Sequence, residues 1–185
     1  EALREAREVL VESPETPDNL ALMQGLYYYS ASYINISING NPIDPDFVGL
    51  VEAFESGDEA TVRKRTEEVI NLIAGSSSEY YQDYDNDGVF DSNDGDGFGS
   101  LPNGDQSGYL QATLVNVKEA SDAEDSTPNI RLYSENILVC VQNMEDWTNQ
   151  LLPLAIQLEQ MPFGAEMEST IAEMSGLSDR ILRGA

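Results

Sequence analysis

The residues best suited to chemistry are aspartates, and they are concentrated in one stretch, Asp83 to Gly99, which reads DYDNDGVFDSNDGDGFG. Asp83, Asp85, Asp87, Asp91, Asp94 and Asp96 all fall within it, and no Lys or Arg occurs between Arg65 and Lys118. Carboxylates about 4 Å apart repel one another by roughly 1–4 kcal/mol per pair. Such a loop stays open as a solvated, disordered linker or closes around a cation. The spacing favours the cation. Asp83, Asp85 and Asp87 alternate, so a tightly turning backbone can aim all three at one point. Gly88 stands sixth from Asp83, where a calcium loop needs its sharp turn. Val89 then offers a backbone carbonyl, Asp91 stands at position nine and Asp94 closes the set at position twelve. Asn93 and Asp96, with Asp105 further on, are left over for a second ion sharing Asp91 or Asp94.

This pattern, DxDxDGxxDxxD over residues 83–94, resembles the calcium loops of EF-hands and, more closely, those of thrombospondin type 3 repeats. The resemblance covers about a tenth of the chain and implies Ca2+ as the bound ion. Position twelve is Asp94 rather than the bidentate Glu of an EF-hand, and its shorter arm reaches monodentately or through water. The residues after it, GDGFGSLPNGD, cannot form the exit helix that an EF-hand requires. The expectation is an isolated calcium loop.

Composition narrows the partners. The chain has 185 residues, 41% of them hydrophobic, which suits one folded domain spanning 1–185. Its net charge of −25, with Lys64 and Lys118 the only lysines and no histidine, excludes nucleic acid and anionic membrane surfaces. Adaptation to high salt would produce the same composition. A single cysteine, Cys140, rules out an internal disulfide and, lying in ILVCV, is expected to be a small buried hydrophobe. No apolar run is long enough for a membrane span and no signal peptide is visible; the start at Glu1 suggests a processed or trimmed product. Extracellular calcium modules bind with dissociation constants of roughly 10⁻⁴–10⁻³ M. An extracellular or cell-surface location is therefore expected, with the periplasm as a variant.

Catalysis finds little support. Without histidine, Ser-His-Asp and Cys-His arrangements and His-ligated zinc or iron are impossible. No GxSxG or phosphate-binding loop occurs. Glu67, Glu68 and Glu135 read as solvated helix faces, although Glu67 and Glu135 occupy matching places in a faint repeat and could meet as a pair in the core.

The elements that must position the loop read as helices. Glu1–Glu12 is short and amphipathic. Thr16-Pro17 reads as a cap opening a helix whose inward face is Leu20, Met23, Tyr27, Ala31, Ile34 and Ile38. Tyr27, Tyr28, Tyr29 and Tyr33 are expected at the edges of the core. Asp44-Pro45 opens a short helix through Phe54, and 59–74 buries Val62, Val69, Ile70 and Ile73. Residues 108–120 align Leu110, Leu114 and Val117. The strongest periodicity begins at Thr127-Pro128 and runs through Ile130, Tyr133, Ile137, Cys140, Met144, Trp147 and Leu151 until Pro153 ends or kinks it. Met167, Ile171, Met174, Leu177 and Ile181 mark a last helix.

The fold expected is all-α: two antiparallel helical hairpins with flanking helices, a first half 1–75, an acidic loop 76–107 and a second half 108–185. The function expected is a secreted or surface calcium-binding structural module that contacts a protein partner or self-associates. The alternatives are a calcium-dependent hydrolase or carbohydrate-binding domain, and a calcium sensor.

Overall fold

The computed structural model describes residues 1–93 and 95–184, and these form an all-helical bundle without a β-strand. The helices are α1 (Ala2–Leu10), α2 (Leu22–Tyr27), α3 (Tyr33–Asn39), α4 (Leu50–Ser56), α5 (Glu59–Ala74), α6 (Gly108–Asp122), α7 (Pro128–Gln160) and α8 (Glu168–Arg183). The long helix α7 packs against α5, α6 and α8, while α1 and α2 lie on α6, and α3 on α5 and α8. The two halves therefore interlock, and one apolar core runs from Val9 through Ile70 and Leu151 to Ile181.

Where apolar spacing is unambiguous, the expected faces are the buried ones. Val62, Val69, Ile70 and Ile73 on α5 are buried, as are Ile171, Met174, Leu177 and Ile181 on α8, with Met167 in the turn before it. Asp58 caps α5, its carboxylate accepting the Thr61 N–H at 3.2 Å. Thr127 caps α7 by accepting from Ile130.

Three departures have local causes. Thr16-Pro17 opens only one 3-10 turn, because the Thr16 hydroxyl donates to the carbonyls of Ser13 and Leu20 and Asp18 adopts φ 55°. Asp44 likewise holds a turn, accepting the Asp46 N–H, and α4 does not begin until Leu50. A π-helical turn at Tyr28–Ser32 joins α2 to α3. Its one extra residue per turn rotates the face, so Leu22, Gly25 and Leu26 are buried upstream of it and Tyr27 is 55% exposed.

The long helix is rotated too. Its buried positions are Ser134, Val141, Thr148 and Ala155, seven apart, with Met144, Leu151 and Leu158 on the same spacing. That is a heptad seam with small residues at one of its two positions. Tyr133 and Cys140, expected inward, lie one residue outside the seam and are exposed. Ile137 and Trp147 are half-buried against the core. Pro153 sits on the outer face, where its missing N–H costs one hydrogen bond, and the helix continues to Gln160.

Candidate metal centre

The loop between α5 and α6 is organised by two polar residues one turn apart on α5. Glu67 is fully buried. One of its oxygens accepts the backbone N–H groups of Tyr84 (2.7 Å) and Asp85 (3.3 Å), and the other accepts that of Asp91 at 2.8 Å. Asn71 donates to the carbonyls of Gln82 (3.0 Å) and Asp91 (2.8 Å) and accepts the Gln82 N–H at 3.0 Å. A segment of polar sequence is thereby held against a helix by its backbone, with Tyr84 adding an apolar contact to the core. The reading of Glu67 and Glu68 as solvated faces is overturned. Both are buried: Glu67 answers backbone donors of the loop, and Glu68 pairs with Arg65 and accepts from Ser37 at 2.9 Å. Glu135 is exposed, so no Glu67–Glu135 pair exists.

Between these anchor points the acidic run coils upon itself. Asp83 accepts the N–H of Gly88 (3.0 Å), Asp85 that of Asp87 (3.0 Å), and Asp87 that of Val89 (2.7 Å). Gly88 has φ 89°, which only glycine adopts without strain. Two groups of carboxylates result, each with oxygens within 4.8 Å of one another: Glu67 with Asp83 and Asp85, and Asp85 with Asp87 and Asp91. Asp85 belongs to both. Among the described residues, Asp83 Oδ1 and Asp91 Oδ2 are buried and have no hydrogen-bond donor. Oxygens in that condition fit a cation, because desolvated acceptors need a positive partner.

The charges press on each other. Burial pushes the Glu67 carboxyl up, against the pull of the N–H groups of Asp91, Tyr84 and Asp85. Asp85 is also pushed up, first by burial and then by the neighbouring Asp87, Asp91 and Asp83. Glu159, near the end of α7, faces the same cluster. Burial, with Glu67 and Asp85 adding to it and Arg63 opposing, raises it to about 7. A divalent cation here would reverse these pressures.

The expected site residues separate into four groups. Asp83, Asp85, Asp87 and Asp91 are brought together. Val89 is exposed beside them, its N–H bound to Asp87. Asp94 lies outside the described residues. The pair left over for a second ion has other partners. The Asn93 amide donates to the Tyr33 carbonyl (3.4 Å) and to Ser37 (3.1 Å). Asp96 accepts the Phe98 N–H (3.0 Å) and the hydroxyl of the buried Tyr109. Glu67 is the site residue that spacing could not reveal, since it lies sixteen positions before Asp83 on another element.

The loop's aromatic residues complete the setting. Tyr84 packs against the core and its hydroxyl donates to the Tyr80 carbonyl at 3.0 Å. Tyr81 stacks on Phe90 with ring centroids 5.7 Å apart. No helix among the described residues is long and apolar enough to cross a membrane. No family model, curated protein or solved structure matches this chain.

Proposed function

We propose that the chain is a helical module whose acidic loop binds one calcium ion and is thereby fixed to the bundle, in a structural and protein-contacting role outside the cytoplasm. The observation carrying this reading is the pair of buried oxygens without donors, Asp83 Oδ1 and Asp91 Oδ2, within overlapping carboxylate groups. Asp83, Asp85, Asp87 and Asp91 are the ligands, with the Val89 carbonyl and Asp94 completing the sphere and Glu67 supporting it from the helix. An adaptable shell rich in carboxylates suits calcium, which takes about 6–8 oxygens, better than magnesium, which holds to octahedral geometry and keeps its waters. The contact role is supported by an apolar groove of about 340 Å³ between α1, α6 and α7, lined by Val9, Leu10, Val117, Ile130, Tyr133 and Ile137.

Titration calorimetry in low-salt buffer tests the ion. Calcium is expected to bind more tightly than magnesium, and Asp85→Ala with Asp87→Ala should abolish the binding. Absence of calcium binding in the wild-type chain, or an unchanged isotherm in the double variant, would remove the calcium loop from this account.

A further inference from the structure

Asp91 is the most buried of the described loop carboxylates. It is only 9% exposed, its N–H is held by Glu67 and its carbonyl by Asn71. Its two side-chain oxygens have different surroundings. Oδ1 lies 3.0 Å from the ammonium of Lys64 on α5, whereas Oδ2 is buried and has no donor among the described residues. The Lys64 pair is the only ion pair to a loop carboxylate among the described residues. The two cations beside Lys64 in sequence are engaged elsewhere. Arg63 donates to the carbonyls of Leu158, Glu159 and Met161, and Arg65 donates to Val48 and Glu68.

We infer that Lys64 is a built-in competitor of the cation, its ammonium neutralising Asp91 in the metal-free protein and opposing calcium at the same carboxylate. The inference rests on the reading of the loop as a calcium site and concerns how that site is regulated. A lysine is suited to this because its compact, strongly hydrated charge sits on a flexible stem, and here the side chain is 44% exposed. When calcium approaches Asp91, two positive charges share one carboxylate at short range, and the flexible one is free to swing into water. The protein thereby carries its own resistance to weak or accidental occupation, and the loop keeps one neutralised aspartate when calcium is withdrawn. Sodium and potassium, with half of calcium's charge, face the same competitor with less to gain.

The opposing signs of the two effects provide the test. Lys64→Met keeps most of the apolar stem and removes the charge. Calcium affinity by calorimetry should rise roughly tenfold, while the melting temperature in chelator should fall. Lys64→Arg should stay within about threefold of wild type in affinity, since it keeps the charge. A residue that merely props up the loop would lose both affinity and stability together, and that result, or an affinity unchanged in Lys64→Met, would overturn the inference. A second measurement uses the wild-type protein. Lys64 and Lys118 are its only lysines, so acylation by an amine reagent can be read at each by mass spectrometry. Calcium should raise the modification rate of Lys64 severalfold relative to Lys118. Calcium binding with no change in that ratio would show that the ammonium does not leave, whereas no calcium binding at all would defeat the loop reading itself.

Discussion

At the scale of single residues, Glu67 has the most to explain, because it is a carboxyl group with no solvent exposure. Two effects oppose each other there. Burial penalises its charge, while three backbone N–H groups of the loop require an acceptor. Replacing a carboxylate oxygen by an amide leaves at least one of those buried N–H groups facing another donor, at about 1–3 kcal/mol per unsatisfied group. Glu67→Gln should therefore destabilise the chain by about 1–3 kcal/mol in chelator, measured by urea denaturation, despite relieving the buried charge. A variant as stable as wild type would show that burial of the charge outweighs the loop's need for an acceptor. Sequence alone could not identify this residue. Glu67 and Glu68 follow a cation-rich stretch on an amphipathic helix, and in a chain with 34 acidic residues two adjacent glutamates carry no sign of burial. The aspartates were legible because their spacing is a property of the loop itself; Glu67 belongs to the site only through the packing of α5.

At the scale of elements, what was legible depended on how many stripes of a helix were apolar. On α8 a single stripe is apolar, and it is buried; on α5 the apolar stripe is buried, but so is every other residue from Thr66 to Ala74, Glu67, Glu68 and Asn71 included. On α7 two adjacent stripes fit spacings of three and four. Tyr133, Cys140 and Trp147 lie on one edge, and Ser134, Val141 and Thr148 are the residues turned inward. Small and hydroxyl-bearing side chains carry little hydrophobic signal, yet they permit close packing along a heptad seam. The π turn between α2 and α3 was equally silent, since one inserted residue alters no composition. The end of α7 offers a prediction at this scale. Its last carbonyls, those of Leu158 and Glu159, together with Met161, accept from the guanidinium of Arg63 on α5 at 2.7–3.0 Å. The cation thus serves the carbonyls at the end of the helix, where the dipole is negative, and shares that of Leu158 with the Met161 N–H. Arg63→Met should cost about 2–4 kcal/mol, as expected for losing charge-assisted hydrogen bonds to partly buried carbonyls. Thermal or urea unfolding would measure it, and a loss below about 0.5 kcal/mol, typical of a surface substitution, would mean that water replaces the guanidinium freely.

At the scale of the whole molecule, a net charge of −25 sets folding against self-repulsion, and the question is how much depends on the ion. Calcium binding only the closed loop stabilises the fold by about 2.7 kcal/mol when it exceeds its Kd a hundredfold, and by about 0.4 kcal/mol when the two are equal. Much of the loop is attached without it. Asn71 holds Gln82 and Asp91, Ser76 N–H donates to Gly97 at 2.8 Å, and the N–H groups of Ser100 and Leu101 cap the carbonyls of Leu72 and Ile73 at the end of α5. The side chain of Asn103 holds the carbonyls of Phe98 and Leu101. Chelation should therefore loosen only the acidic coil between the anchor points, about residues 86–90, and leave 95–107 docked and the helices intact. Trypsin cannot report this, because no Lys or Arg lies between Arg65 and Lys118. Chymotrypsin can, since Phe90 is exposed inside the coil and Phe98 is buried beyond it. With chelator, cleavage is expected at Phe90 and not at Phe98, while the circular dichroism of the helices is retained; calcium should suppress the Phe90 cut. Cleavage indifferent to chelator would mean that calcium does not close the coil. Loss of the helical signal would mean instead that the ion holds the entire bundle, through the link from Asp91 and Glu67 into α5 and from α5 into α7.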